Sequence, residues 1–305
     1  MKFLGAKMIY SIIDIGSNSV RMSVYRINDD NGFTRLFSEK EMAGLINYIV
    51  NNNMTEEGID KICEILDDFL SILSRLGMED SIILGTAALR NIDNTEYTVN
   101  QVYERTGAKI NVLSGDEEGR IGYLGVCNET NLDNGLMVDI GGGSVEFVRI
   151  ADGDVCGSDS YPLGSLSLFK NNVAKIWPTK KEIIAMENDV DKLLSDPGLS
   201  DMHTDQICFI GGSARAVLKI CNHMYKKLSD NQNITTKELK EIVSLLKSKS
   251  TEARSLVLKA CPDRVHTIIP GTIFINKIVQ HTKAKDIFIG KYGLREGYLC
   301  QKMKK

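Results

Sequence analysis

Hydrophobic positions along the first half of the chain follow two different spacings. Alternating or short, continuous apolar stretches predict strands at residues 8–27 (two strands around a loop), 33–38, 81–84 and 109–113. Apolar residues three and four apart predict a helix from Thr55 to Leu76, with Thr55 as its N-cap and Gly77 after its end. Because strands and helices alternate, the pattern indicates an α/β fold.

The second half repeats this plan. The predicted elements are a hairpin around residues 141–143, strands at 154–161, 206–210 and 286–289, and helices at 163–175, 179–195, 214–221, 235–261 and 294–302. Thr179 and Glu182 are spaced as a capping box at the start of one of these helices.

One unit of this pattern occurs twice, at residues 12–22 and 137–147. Each copy has an apolar run, then Asp-Ile-Gly, then small polar residues, then a second alternating run. This predicts strand, tight turn, strand, with glycines that permit positive φ and let N–H groups approach a phosphate. A single such loop is more often only a turn, whereas the pair indicates a duplicated fold with a cleft between its halves. The candidate phosphate-binding residues are Gly16, Ser17, Asn18, Ser19, Gly141, Gly142, Gly143 and Ser144.

An aspartate closes the first strand of each copy. A carboxylate at the end of a buried strand is costly unless it is hydrogen-bonded or faces a cation. Asp14 and Asp139 therefore suggest a divalent metal ion.

Length and composition agree with a two-domain protein. The chain has 305 residues, 43% hydrophobic and 25% charged, which suffices for two cores. We expect domains at residues 1–120, completed by helix 294–305, and at residues 121–293. Apolar runs fall short of the ~20 residues that span a bilayer, and Lys7 interrupts the N-terminal apolar stretch. We therefore expect a cytoplasmic protein without a membrane partner.

Cysteines and charge narrow the classes further. The seven cysteines are scattered without Cys-x-x-Cys pairs, which argues against disulfides and structural zinc. A net charge of −3 gives no global attraction for duplex nucleic acid. Basic residues cluster at Lys170, Lys175, Lys180 and Lys181, and again at Lys247, Lys249, Arg254, Lys259 and Arg264. A solvated helix face and an anion track explain them about equally well.

Two further segments hold candidate catalytic residues. In Ser114-Gly115-Asp116-Glu117-Glu118, Ser114 and Glu117 fit a capping box, which makes Glu118 the better candidate for a general base. The alternative is an exposed glutamate favoured by the helix dipole. Arg90, after a strand-to-helix turn, is a candidate ligand of phosphate oxygens or a surface arginine. The turn at residues 211–213 could receive an anion or simply connect a strand to a helix.

Five segments in this order resemble the exopolyphosphatase/guanosine pentaphosphate phosphohydrolase (Ppx/GppA) family. They are residues 14–19, 85–90, 114–118, 139–144 and 293–297. The resemblance implies two duplicated actin-like domains (ribonuclease H-like, sugar kinase/Hsp70 superfold) with an interdomain cleft. It also implies Mg²⁺-dependent release of terminal phosphate from polyphosphate or pppGpp, with Glu118 as the base, and it makes a homodimer plausible. Residues 43–48 depart from the family's usual segment, and the chain resembles the short, two-domain form.

These observations combine into one expected mechanism. The terminal phosphoryl group lies between the two glycine loops, whose N–H groups, with Asn18, Ser19, Ser144 and Arg90, neutralise its oxygens. Asp139 holds Mg²⁺, with Mn²⁺ as an alternative metal, while Asp14 and Glu146 lie near through water. Polyphosphate is the first candidate substrate and pppGpp the second. An ATP-dependent kinase of the same superfold and a non-catalytic sensor of either compound remain open.

Overall fold

The structure, a computed structural model, describes residues 8–28, 32–78 and 80–303. It divides into two compact units, residues 1–114 with 298–305 and residues 115–297. The sequence analysis placed the divisions after residues 120 and 293, whereas the units divide after Ser114 and Gly297. The first boundary therefore lies at the start of a helix, and the second lies within another helix.

The first unit contains one five-stranded sheet and its helices. Its elements are β1 (Ile9–Ile15), β2 (Val20–Ile27), β3 (Phe33–Glu41), a 3₁₀ turn (Leu45–Tyr48), β4 (Ile49–Val50), β5 (Asn53–Met54), α1 (Glu56–Arg75), β6 (Ile82–Gly85), α2 (Ala87–Arg90), α3 (Thr95–Thr106) and β7 (Ile110–Val112). Helix α1 begins at the predicted cap, where the Thr55 side chain accepts a hydrogen bond from the N–H of Gly58. Its apolar face packs with the sheet in one core.

The second unit contains a six-stranded sheet. Its elements are α4 (Gly115–Val126), β8 (Gly135–Ile140), β9 (Val145–Ala151), β10 (Asp154–Tyr161), α5 (Ser165–Asn172), α6 (Lys180–Leu194), β11 (Gln206–Ile210), α7 (Gly211–Met224), β12 (Asn233–Ile234), α8 (Thr236–Ser248), α9 (Thr251–Ala260), a 3₁₀ turn (Pro262–Arg264), α10 (Ile268–Thr282), β13 (Asp286–Ile289) and α11 (Leu294–Met303). Among the helices of the described residues, none is long and apolar enough to cross a membrane.

The two sheets share one topology. The strand orders are β3-β2-β1-β6-β7 and β10-β9-β8-β11-β13-β12. In each, a three-stranded antiparallel meander is followed by two parallel strands on the far side of the first strand. The second sheet adds only β12 at its edge. The predicted α/β class and the duplicated actin-like, ribonuclease H-like fold are confirmed.

Some predicted elements differ in detail. The long helical region predicted over residues 235–261 consists of two helices, because Lys249 adopts φ 57° and Ser250 caps α9. A left-handed residue ends a helix whatever the hydrophobic spacing around it. The capping box of Thr179 and Glu182 forms as predicted at the start of α6. The hairpin of β4 and β5 and the buried helix α10 were absent from the predicted elements.

Helices cover both faces of the second sheet. Side chains along its strands point alternately to one face and to the other, so they belong to two different cores. Leu136, Val138 and Ile140 belong to the large core beneath α6, α7 and α10. Met137, the residue between the first two, packs instead with Tyr123 and other residues of the face that α4 covers. Since side chains alternate along a strand, Asp139 lies on the α4 face of the sheet.

The β4–β5 hairpin is fastened to the connection between α2 and α3 by Asn94. Its side chain accepts from the N–H of Met54 at 2.8 Å and donates to the carbonyl of Met54 at 2.9 Å. The substitution Asn94→Ala removes both bonds and leaves two backbone groups of a buried residue unsatisfied. We expect it to lower the free energy of unfolding by about 2–3 kcal/mol. Asn100→Ala, an exposed change on α3, should stay within about 0.5 kcal/mol. Equal urea midpoints for the two variants would contradict this role.

Candidate functional site

The first glycine loop, residues 16–19, connects β1 to β2. The N–H of Gly16 donates to the carbonyl of Ser19 at 3.1 Å, which closes the loop. The carbonyls of Ser17 and Asn18 accept from the N–H groups of Ile46 and Gly44, at 3.1 and 3.0 Å. The segment at 43–48, whose role the sequence left in doubt, therefore holds the back of this loop.

The second glycine loop, residues 141–144, has the same construction. The N–H of Gly141 donates to the carbonyl of Ser144 at 3.0 Å, and the carbonyls of Gly141 and Gly142 accept from the first turn of α5. The corresponding bond lengths are 3.0 Å from Ser165 and 2.9 Å from Leu166. In each unit the chain that follows the third strand thus binds the loop's carbonyl oxygens.

Both loops leave hydrogen-bond donors for a ligand. In the part of the chain that the structure describes, the N–H groups of Ser17, Asn18, Gly142 and Gly143 have no hydrogen-bond acceptor. The side-chain Nδ2 of Asn18, a residue only 8% exposed, also lacks one there. A buried donor without an acceptor is costly, so this loop fits an anion with several oxygen atoms. Gly16 and Gly141 do not adopt the positive φ that the sequence analysis allowed for.

Asp139 and Glu146 are direct cross-strand neighbours of β8 and β9. Glu146 is buried, and its Oε1 accepts from Ser144 Oγ at 2.6 Å and from Ser160 Oγ at 2.9 Å. The Asp139 carboxylate lies against Gly211, the first residue of α7. A Cβ atom built on Gly211 would be 2.5 Å from Oδ1 of Asp139. Gly211 has φ +91°, so a larger residue there would be strained and would displace the carboxylate. Like charges directly opposite each other are destabilising, so this pair favours a bound cation.

Asp14 has different neighbours in its own sheet. Its cross-strand partner on β2 is Arg21, and the next residue in that row is Lys40 on β3. The equivalent row in the second sheet contains Asp139, Glu146 and Ser160. The two copies of the repeat therefore differ in charge. In the first unit the aspartate lies in a row with two basic residues, whereas in the second unit it lies opposite a second carboxylate.

Glu118 lies in the first turn of α4 and is buried, whereas its neighbour Glu117 is exposed. Helix α4 lies close against the sheet, because Cβ atoms built on Gly115 and Gly119 would collide with Ser160 and Ser158. Gly115 and Gly119 lie on the helix face that contacts the sheet, and Glu118 lies at the edge of that face. Ser160 also binds Glu146, so the N-terminus of α4 is at the end of the sheet that carries the carboxylate pair. The sequence analysis could not foresee the serine that connects them.

Arg90 is the last residue of α2 in the first unit. It is half-buried, and its Nη1 donates to the carbonyl of Leu113 at 3.2 Å. The start of α2 is fixed at the end of β1, since the N–H and hydroxyl of Thr86 both bind the carbonyl of Ile15, at 3.2 and 3.1 Å. Arg90 and the first glycine loop are therefore anchored to the same end of this sheet.

Two arginines in the second unit carry charge that the sequence analysis did not assign to the site. Arg264 packs against Gly212 at the N-terminus of α7, and its side chain is 16% exposed. Burial lowers the pKa of Arg264, with Asp263, 3.9 Å away, acting in the opposite direction. Burial and then Arg295 lower the pKa of Arg215 to about 10, while Asp139 raises it. Both guanidinium groups remain protonated at neutral pH.

These arginines lie where a cation is least favoured. The N-terminus of a helix carries partial positive charge. The positive charge of Arg264 also lowers the pKa of Arg215. Their positions at one helix end favour an anion at the turn of residues 211–213, which is one of the two alternatives that the sequence left open. Arg264 was noted in the sequence only as one basic residue among many, because the contact with Gly212 joins segments 52 positions apart by their numbers.

The segment 293–297 has a structural explanation. Glu296 is buried and accepts from the N–H of Gly293 at 3.2 Å, at the start of α11. A Cβ on Gly297 would collide with the carbonyl oxygen of Ile121 on α4. Only a glycine allows the two helices this close an approach.

The carboxylates of the second unit fit a magnesium ion. Mg²⁺ is bound by hard oxygen ligands, commonly one or two carboxylates together with substrate phosphate. Asp139 and Glu146 supply two carboxylates beside the glycine loop. Groups of three or more His, Cys, Asp or Glu side chains able to hold a metal do not occur among the described residues.

Comparison with known proteins identifies the family. The sequence profile described as the Ppx/GppA phosphatase family matches residues 23–305. The chain belongs to the Ppx/GppA family. The resemblance inferred from five motifs is thereby confirmed.

Similar proteins agree with this membership. The chain is 22% identical to Exopolyphosphatase 1 of Mycobacterium bovis, over 97% of this chain and 88% of that protein. It is 23% identical to a guanosine-5'-triphosphate,3'-diphosphate pyrophosphatase of Photobacterium profundum, over 97% of this chain and 60% of that one. A crystal structure of an exopolyphosphatase from Cytophaga hutchinsonii superposes with a TM-score of 0.85 at 20% identity, covering 97% and 98% of the two chains. The structural likeness extends over the whole Ppx/GppA fold.

Proposed function

We propose that this protein is an exopolyphosphatase that releases terminal orthophosphate from inorganic polyphosphate by Mg²⁺-dependent hydrolysis. Family membership makes hydrolysis of a phosphoanhydride the reaction class, and a relative over most of this chain's length is named an exopolyphosphatase.

One observation carries the proposal. Two loops closed by the same hydrogen bond each have two carbonyl oxygens bound by the chain after the third strand and two N–H groups without an acceptor among the described residues. Phosphoryl transfer requires mainly positioning and charge stabilisation, which such donors supply. A protein that only needed a turn at these places would have no reason to bury an amide donor of Asn18 without an acceptor.

The residues take separate roles in this proposal. Ser17, Asn18 and Ser19 bind phosphate oxygens in the first unit, together with Arg90, while Gly16 closes the loop. Gly142 and Gly143 bind them in the second unit, where Gly141 closes the loop and the Ser144 hydroxyl donates to Glu146. Glu118 accepts a proton from the attacking water, for which its burial at the N-terminus of α4 is suitable.

Asp139 and Glu146 would hold Mg²⁺ or Mn²⁺. The hydrogen bonds from Ser144 and Ser160 fix the Glu146 carboxylate, and Asp139 lies beside the N-terminus of α7 and within the electrostatic influence of Arg215. The bound metal would neutralise charge that develops on the phosphoryl oxygens. Asp14, with Arg21 and Lys40 in its row, is a weaker candidate for direct coordination.

The test is phosphate release by the full chain with Mg²⁺ from polyphosphates of defined length and from pppGpp, side by side. Faster release from polyphosphate supports the proposal. Preference for pppGpp would make the protein a pppGpp 5'-phosphohydrolase, a candidate that the pyrophosphatase relative favours. No release from either substrate would reject both.

Arg264 gives a prediction about substrate affinity. Arg264→Gln removes a guanidinium whose one ion-pair partner among the described residues, Asp263, is 3.9 Å away. We expect KM to rise about 10- to 100-fold, because a hydrogen bond to a charged group contributes about 1.5–3 kcal/mol. The thermal stability of the ligand-free protein should not fall, since a poorly paired buried charge is removed. Arg120→Gln, which removes an exposed arginine paired with Asp116, should leave KM unchanged; a similar rise in both variants would contradict the role of Arg264.

A further inference from the structure

Two basic segments of the second unit lie together on its surface. Residues 170–182 contain four lysines and one acidic residue, and residues 247–259 contain four basic residues and one acidic residue. They are far apart in sequence, but Arg254 of α9 lies over the ring of Trp177, with its Cζ 5.9 Å from the ring centroid. Lys249 acts electrostatically on Glu182 at the start of α6. We call this surface the basic patch and define it by Lys175, Lys180, Lys181, Lys249 and Arg254.

Two of the three acidic residues nearby are already engaged, and the third, Glu252 on α9, is exposed. Glu182 accepts from the N–H groups of Thr179 and Ala174, at 2.5 and 3.0 Å. Glu187 forms an ion pair with Lys247. In contrast, Lys175, Lys180 and Arg254 are exposed and have no ion pair among the described residues. In a chain whose net charge is −3, this is a concentrated positive surface that attracts anions.

Helix α5 connects the basic patch to the second glycine loop. Its first residue, Ser165, donates to the carbonyl of Gly141 at 3.0 Å, and its last residue is Asn172. Eight helical residues extend about 12 Å. Lys170 is exposed near the end of this helix, and Phe169 beside it packs edge-on against His266, two residues after Arg264. The chain therefore runs from the phosphate loop along α5, past Lys170, to Lys175 of the basic patch.

We propose that the basic patch binds the distal phosphates of a linear polyphosphate chain. This inference rests on the proposed function and names the substrate class that this surface selects. A long polyanion has a charge on every unit, so it gains from each additional lysine along its course, whereas a substrate with only a few phosphates ends before it. The cation–π contact with Trp177 positions the guanidinium of Arg254, a residue that is exposed at the surface.

Polyphosphate fits this surface better than single-stranded RNA does. RNA-binding surfaces combine positive charge with exposed aromatic rings on which bases stack. The aromatic ring of the basic patch, that of Trp177, is half-buried and has Arg254 over it. The patch thus offers charge without an open stacking platform.

The test measures binding of the full-length protein to long-chain polyphosphate, tripolyphosphate and poly-uridylate at several salt concentrations, in EDTA to prevent turnover. The variant is Lys175→Gln/Lys180→Gln/Arg254→Gln, and a Lys175→Gln/Lys180→Gln double variant leaves the Trp177 contact intact. The matched control is Lys237→Gln/Lys240→Gln, which neutralises two exposed lysines of α8 in the same unit.

We expect the triple variant to bind long polyphosphate about tenfold or more weakly, with the salt slope reduced by about two, and the double variant to show part of this loss. Affinity for tripolyphosphate and its hydrolysis in Mg²⁺ should not change. Unchanged affinity of the triple and double variants for the long chain, or an equal loss in the control, would overturn the inference. Tighter binding of poly-uridylate than of polyphosphate by the unmodified protein would overturn the choice of ligand.

The outcomes separate this inference from the proposed function. Polyphosphate binding that depends on the basic patch, without any phosphate release, would reject the exopolyphosphatase activity and keep the binding surface. Normal release from long chains by the triple variant at low substrate concentration would keep the activity and reject the surface.

Discussion

Glu118→Gln is expected to slow phosphate release about 10²- to 10⁴-fold, because the loss of a positioned general base typically costs that much in rate. Glutamine keeps the size and hydrogen-bonding capacity of the buried side chain but cannot accept the proton of the attacking water. KM should change little, since the phosphate-binding loops are untouched. The measurement is the initial rate of orthophosphate release at saturating polyphosphate and Mg²⁺.

The neighbouring residue provides the control. Glu117→Gln changes an exposed glutamate of the same helical turn, so it alters the charge at the N-terminus of α4 without touching the buried position. A helix-terminal charge contributes about 0.3–1 kcal/mol to stability, and the rate of release should stay near that of the unmodified protein. Near-normal turnover of Glu118→Gln, or equal losses in both variants, would remove Glu118 from the role of base.

Asp139→Asn is expected to raise the Mg²⁺ concentration needed for half-maximal rate and to lower the maximal rate at least about 10²-fold. One of two cross-strand carboxylates is lost, and metal neutralisation of the phosphoryl oxygens contributes several kcal/mol to the reaction. A second readout does not depend on turnover. Because adjacent carboxylates repel each other in the metal-free protein, Mg²⁺ should raise the Tm of the unmodified protein, and this rise should be absent in the variant.

The exposed carboxylate of Asp154, at the start of β10 in the same sheet, provides the matched control. Asp154→Asn should keep both the Mg²⁺ requirement and the Mg²⁺-induced rise in Tm. An Asp139→Asn protein that still gained stability from Mg²⁺ and still required it at the original concentration would show that the metal is held elsewhere. Glu146→Gln should resemble Asp139→Asn, with a further cost from disturbing its bonds to Ser144 and Ser160.

The unequal repeat explains why a duplicated fold can hold one metal site. Both hairpins present an Asp-Ile-Gly turn, but the residue opposite the aspartate is Arg21 in one sheet and Glu146 in the other. The first pairing places opposite charges in neighbouring positions, whereas the second places two carboxylates together. The two adjacent carboxylates therefore favour a cation beside Asp139, whereas Asp14 already has a positive charge opposite it.

The sequence alone determined the elements whose causes are local. The period of the hydrophobic residues fixed α1 and most strands, and Thr55 and the Thr179–Glu182 pair fixed two helix starts. The repeated Asp-Ile-Gly pattern was enough to predict the duplicated fold and both glycine loops. These features depend on residues within one turn or one strand of each other, so a linear reading contains them.

The tertiary structure decided which distant groups meet. The attachment of the first loop to residues 44 and 46, the bonds of Ser160 to Glu146 and the contact of Arg264 with Gly212 join segments that are far apart in the chain. The break between the two helices of the region predicted at residues 235–261 was also not foreseen, because a left-handed Lys249 leaves no trace in hydrophobic spacing. The contact of Arg254 with Trp177 likewise joins two basic segments that the sequence pattern leaves apart. Packing alone brings such groups together, and a sequence pattern records the types of side chains but not their distances.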